Sequence, residues 1–295
     1  MTRRPAGSPI LITDSCCDLP PALVEILGVD MLHLRFRIAD EEHVDDLGVT
    51  MPHADFYSLV RDGAAPTTSA IPIVEYVRVF ESAAAQGRPA LMLGLSSALS
   101  STFESALSAR DMVLADHPDA DIRVVDSLNA SIALGSLIFD AAGVLDSGAD
   151  IDQLTTWALT ARRRMNGYFT LESLEHLRRG GRISDAVAFA GAMLDVRPVL
   201  RIDGAGQLVL AGQARGRRKS MKALVDTAAR RVAAPEGQTA FVAHGDAGED
   251  AESLKELLLE RVGFRDVVVT EIGPVIGSHV GPGMLAVAFS GTSRS

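Results

Sequence analysis

Three short apolar runs, each closing on a pair of acid or hydroxyl residues, constrain this chain more than any other feature. They are residues 10–13 before Asp14-Ser15, 91–95 before Ser96-Ser97, and 122–125 before Asp126-Ser127. Runs of this length read as buried strands, and the segments after them read as helix. After Leu95, for example, Leu99, Phe103, Ala106, Leu107, Val113 and Leu114 recur at helical spacing, interrupted on that face by Arg110. Strand, polar turn and helix, repeated with short links, predict a parallel sheet covered by helices. In such sheets ligands gather at the C-terminal ends of strands. The first turn of each succeeding helix adds unpaired N–H groups that suit an anion.

The hydroxyl residues Ser96, Ser97, Ser100, Ser101 and Thr102 therefore admit two readings. They start the helix, since Ser101-Thr102-Phe103-Glu104 fits a capping box, or they hold a ligand. Asp14 and Ser15 divide the same way, between satisfying backbone groups in the turn and lining a site. Clusters at three separate strand ends favour a shared polar cleft.

Around these units the pattern predicts a helix over 20–27, a half-exposed strand over 32–38, and a solvated acidic loop over 40–46 carrying His43. It also predicts a loop over 63–72 with Thr67, Thr68 and Ser69 at its centre, and helices over 73–85, 130–145 and 151–164. The pattern changes after Arg162-Arg163-Arg164. Residues 1–164 read as an N-terminal α/β domain with a parallel sheet between helix layers. Residues 165–295 read as a C-terminal two-layer α/β domain with a mixed sheet. Here Asp203-Gly204-Ala205-Gly206 signals a hairpin. Arg215, Arg217, Arg218 and Lys219 open a helix against its dipole, as a solvated edge or as a partner's anion site. Residues 273–283, GPVIGSHVGPG, read as Gly-Pro-bounded turns around His279, either a structural histidine or a ligand contact.

Composition removes several functions. A net charge of −10 argues against nucleic acid, and with aromatics at 5% few rings are available for base stacking. Adjacent Cys16-Cys17 suits neither a structural disulfide nor a Cys-based zinc site, so a reducing compartment is expected. The basic Met1-Thr2-Arg3-Arg4 precedes too short an apolar run for a signal peptide, and no run approaches a membrane span. The expected location is cytoplasmic. No Walker A, GxGxxG, GxSxG or HExxH pattern occurs. Serine and histidine leave a hydrolase open, but no spacing supplies the acid partner.

In order along the chain, ITDSCCDLP at 12–20, TSAIP at 68–72, LSSALSSTFESA at 95–106 and VVDS at 124–127 resemble the DegV family. LEHLRRGGRIS at 174–184, RPVL at 197–200, HGDA at 244–247 and IGPVIGSHVGPG at 272–283 continue the resemblance over nearly the whole chain. The resemblance implies an α/β N-terminal domain, a second domain of helices on a mixed sheet, and a fatty acid held between them. It implies a lipid-binding protein that presents the fatty acid's carboxylate to a separate ATP-dependent fatty-acid kinase for acyl-phosphate formation and phospholipid synthesis. It implies neither chemistry of its own nor a cofactor or metal, the fatty acid being the only ligand. By motif match Thr68, Ser96, Ser97 and His279 would bind the carboxylate, and Arg182, Arg215 and Arg217 would dock the kinase. Three departures concern the head group: Ser101 replaces a family glycine, Ala70 a glutamine, and Cys16-Cys17 a Ser-Thr pair. The competing readings are a stand-alone acyl hydrolase using Ser96 or Ser97, and a binder of another small carboxylate or an acidic partner.

Overall fold

Strands with few polar positions end up where both faces are covered. β1 (Ile10–Asp14) and β6 (Ala90–Gly94) are buried at every residue. With β2 (Asp30–Leu32) and β7 (Ile122–Asp126) they form a four-stranded parallel sheet of order β2-β1-β6-β7. The structure is a computed structural model and describes residues 4–5, 7–183 and 196–294. Met1 to Arg3 of the basic N-terminus and Ser184 of the RGGRIS motif lie outside the described residues.

The second sheet is mixed and six-stranded, of order β10-β9-β8-β13-β11-β12. It comprises β8 (Met165–Thr170), β9 (Val196–Ile202), β10 (Leu208–Arg215), β11 (Thr239–His244), β12 (Asp266–Glu271) and β13 (Leu285–Ser290). Only β11 and β12 pair in parallel. The strand period of two sorts its side chains between two cores. Leu285, Val287 and Phe289 of β13 join helices α8 (Arg217–Arg231) and α9 (Gly248–Val262) on one face. Ala286 and Ala288 join the larger core on the other.

That larger core is built around α5 (Ile132–Asp146). Every residue from Ile132 to Ile138 is buried, because α5 packs on β8, β11 and β13 of one sheet and on β1 of the other. Gly135 is needed for this fit: a Cβ there would fall 2.4 Å from the Cys17 carbonyl oxygen. α4 (Thr102–Asp116) and α6 (Ile151–Ala161) pack on β6 and β7, and α6 also lies against α5.

Several sequence expectations are corrected. The strand expected over 32–38 is two strands in different sheets. The chain leaves β2, the Leu34 N–H donates to Ser15 Oγ (3.1 Å), and β3 (Arg35–Ile38) begins a separate three-stranded antiparallel sheet of order β4-β3-β5. The acidic loop is largely β4 (Glu41–Val44), joined to β3 by Ala39 (φ 49°) and Asp40 (φ 66°). Two positive φ values suit a tight hairpin, but Ala-Asp lacks the glycine that signals one. Thr67–Ser69, expected as loop, is strand β5, paired with β3. The capping box at Ser101 does not form. Ser101 makes no side-chain cap, and Ser100 Oγ instead accepts from the Thr102 N–H (3.2 Å). Within the expected turns of 273–283 lies helix α10 (Pro274–Val280), started by proline and stopped at Gly281 (φ 72°).

Candidate ligand-binding cavity

Between α5, the mixed sheet and α10 lies a cavity, placed between packed elements as small-molecule sites commonly are. Its wall is mainly aliphatic: Leu34, Leu95, Leu177, Ile202, Leu208, Val275, Ile276 and Met284 contribute, with Ala133, Gly167 and Ala286 keeping it open between α5 and the sheet. Its polar groups are few: Thr68, Ser100, Ser131, Arg182, His279 and the Cys16 thiol. An open depression adjoins it, bounded by Ser97, Ser101, Gly181 and Gln207, with Leu99, Ser100, Arg182 and Leu208 on the wall common to both.

Thr68 and His279, far apart in sequence, meet here. Thr68 is fixed on β5 by its pairing with Phe36. His279 sits in the last turn of α10. Thr68 Oγ1 and His279 Nε2 are hydrogen-bonded at 2.9 Å, while His279 Nδ1 is buried with no hydrogen-bond partner. Burial first, then the charges of Arg182 and Arg179, depress the imidazole to about 4, so at neutral pH it carries one N–H and one lone pair. Gly180 makes room for it, since a Cβ at that position would lie 2.2 Å from His279 Nδ1. Arg182 is steered by donating to Gly180 O (2.6 Å) and Leu99 O (3.2 Å).

The helix bearing His279 is anchored by buried acids. Asp45 Oδ2 accepts from the Val275 N–H (3.2 Å), and Asp18 Oδ1 accepts from the Gly273 N–H (2.9 Å). Asp18 also takes the Ser131 hydroxyl (2.6 Å). Burial pushes Asp14 and Asp18 up to about 6 and Asp45 up to about 7. Among the described residues no group of His, Cys, Asp and Glu is arranged to hold a metal ion.

The other strand-end residues tie the fold together. Asp14 accepts from the Leu95 N–H (2.7 Å) and the Cys16 N–H (3.1 Å), the backbone role of its two readings. Ser96 is fully buried outside the cavity wall, and its hydroxyl donates to Gly206 O (3.0 Å). Ser97 faces the outer depression, with its hydroxyl donating to Asp126 Oδ2 (2.6 Å). Thus Thr68 and His279 come together at the cavity, and Ser96 and Ser97 stand behind and beside it. Arg182 reaches the common wall, whereas Arg215 is exposed at the end of β10. Arg217 is engaged with Asp250 (2.7 Å) and Gly283 O (2.6 Å). The sequence left Ser100 between starting a helix and holding a ligand, gave no sign of Ser131 as a wall residue and had no signal for the aliphatic lining, which looks like any core.

A family model described as an uncharacterised protein family, DegV, matches residues 10–292. This chain belongs to the DegV family. A DegV domain-containing protein of Clostridium perfringens is 39% identical over 285 residues, covering 97% of this chain and 98% of the relative. Among solved structures, a DegV-family protein of Thermus thermophilus, described by its fatty-acid binding, is 31% identical with a TM-score of 0.83, covering 95% of this chain and 99% of its own. The fatty-acid kinase B3 protein of Streptococcus pneumoniae, loaded with linoleic acid, shares the fold at 22% identity and a TM-score of 0.83, over 96% of this chain and 99% of its own. The parallel sheet among helices and the mixed second sheet are those of DegV structures. No helix among the described residues is long and apolar enough to cross a membrane.

Proposed function

We propose that this DegV-family chain binds a long-chain fatty acid in the cavity and presents its carboxylate to a separate ATP-dependent fatty-acid kinase. The observation that carries the reading is the cavity's asymmetry: an aliphatic interior with the Thr68–His279 pair on its wall and Arg182 beside the outer depression. Each buried CH₂ of an acyl chain gains about 0.8 kcal/mol. The head group meets a hydroxyl, a neutral imidazole and a nearby guanidinium, donors that hold a carboxylate. The Thermus relative's fatty-acid binding supports the ligand, and the Streptococcus neighbour's name supports the kinase. Arg182 and the exposed Arg215 are the better placed of the three arginines to meet a partner, since Arg217 is already paired.

The hydrolase reading finds less support. A serine nucleophile needs a base within hydrogen-bond reach. Among the described residues Ser96 donates to a backbone carbonyl and Ser97 to the weakly basic Asp126 carboxylate, and neither is hydrogen-bonded to a histidine. The test is denaturing extraction of natively purified protein followed by mass spectrometry, then incubation of the loaded protein with kinase and ATP. A co-purified fatty acid and formation of acyl phosphate are expected. Protein that carries no acyl chain and takes up neither palmitate nor oleate overturns the reading.

A further inference from the structure

The segment after β13 runs back along the molecule instead of leaving it. The Gly291 N–H donates to Arg164 O (2.9 Å), Thr292 N–H to Arg231 O (2.9 Å) and Arg294 N–H to Arg163 O (3.2 Å). This course delivers the Arg294 side chain into the interior, where the residue is only 3% exposed. Its guanidinium donates to Leu128 O (2.9 Å), Asn129 Oδ1 (3.0 Å) and Arg162 O (2.6 Å). Such a cation is costly to bury, and its acceptors lie in several directions.

Two of those acceptors belong to the loop between β7 and α5, and that loop is strained. Leu128 (φ 53°) and Ser131 (φ 52°) both hold positive φ without being glycine. Such residues persist only where the surroundings over-determine them. The surroundings are visible: Leu128 N–H donates to Asp126 Oδ1 (2.8 Å), Ser96 N–H to Asn129 O (2.9 Å), and Ser131 Oγ to Asp18 Oδ2 (2.6 Å). The loop continues directly into Ala130, Ser131, Ile132 and Ala133, all on the cavity wall.

We infer that Arg294 is a positioning residue for that wall: by clamping Leu128 and Asn129 from behind, it keeps residues 130–133 closed on the ligand and slows its escape. The inference rests on the fatty-acid reading above. Arg294 touches neither ligand nor cavity, so its effect belongs in the release rate. Burial, the largest influence, lowers its guanidinium to about 10, and it stays charged at neutral pH.

The experiment loads full-length protein with oleate and follows transfer to acceptor phosphatidylcholine vesicles, alongside thermal melts. Arg294→Ala should release oleate roughly ten-fold faster, the factor expected for losing buried charge-assisted hydrogen bonds. Arg294→Lys, which keeps charge but not the fork, should fall between the two. Leu128→Gly adopts the same backbone without the steric cost, so in that background the Arg294→Ala effect should shrink. Should Arg294→Ala not fold, Arg294→Lys with and without Leu128→Gly reads the same coupling. Folded Arg294 variants that release oleate at the wild-type rate, or an effect undiminished by Leu128→Gly, overturn the inference while leaving the fatty-acid reading intact. Wild-type protein that takes up no oleate overturns both.

Discussion

His279 owes its place to the missing side chain at residue 180. Gly180 has φ −74°, a conformation alanine adopts freely, so Gly180→Ala tests the space and not the backbone. We expect the methyl group to displace the imidazole and weaken oleate affinity about ten-fold, near 1.4 kcal/mol, with Thr68→Val causing a loss of the same order. Titration calorimetry checks both, and unchanged affinity in the two variants would separate the pair from the head group. At this scale the sequence was half legible. His279 stood out because glycines and prolines surround it, and Thr68 because hydroxyls cluster there. Nothing local distinguishes Ser100, on the wall, from Ser96 and Ser97. Where those hydroxyls point is decided by Gly206, 110 residues away, and Asp126, 29 residues away.

Among the elements, α10 is the one to titrate, because its N-terminal turn hangs on Asp18 and Asp45. Both carboxyls are raised by burial from 3.8, to about 6 and about 7. At these two acids the folded protein therefore holds more protons than the unfolded chain between about pH 4 and 7, and their contribution to stability falls as pH rises through that window, opposed in part by the depressed His279. Burial opposes charge on His53, but its hydrogen bond to Glu271 and the nearby carboxylates raise it overall, which acts in the same direction. Melting temperature should decline from pH 5 to 7.5, and Asp45→Asn, which retains an acceptor for Val275, should flatten the decline. A wild-type profile that rises across this range counts against this role for the two acids. The helix itself was hidden in the sequence because glycine and proline dominate the segment 273–283 around it. Their placement, Pro274 first and Gly281 last, is what start and stop signals look like on a two-turn helix. The hairpin at Ala39-Asp40 was hidden for the opposite reason, a positive-φ turn made without glycine. The parallel strands β1, β6 and β7 were plain because continuous apolar runs have few other uses.

For the whole molecule, an aliphatic cavity of limited extent implies a length rule. Across saturated acids of increasing length, affinity should improve by about 0.8 kcal/mol per CH₂ until the cavity is filled and then stop. A competition series locates that length, and a flat series from the shortest acid onward would mean the chain does not lie inside. Near residue 164, where the sequence pattern changes, β8 opens the mixed sheet at Met165. What sequence could not show is that α5, read as part of the first half, is a wall of both. Its apolar residues run round the helix, a pattern no single sheet explains. The order of synthesis then matters. The ribosome delivers α5 well before β11 and β13, so the nascent chain carries a greasy helix whose second partner is still incomplete. Until β13 is synthesised that surface needs shelter, and slow translation or a scarce chaperone would penalise this protein early in its life, before any ligand is at hand.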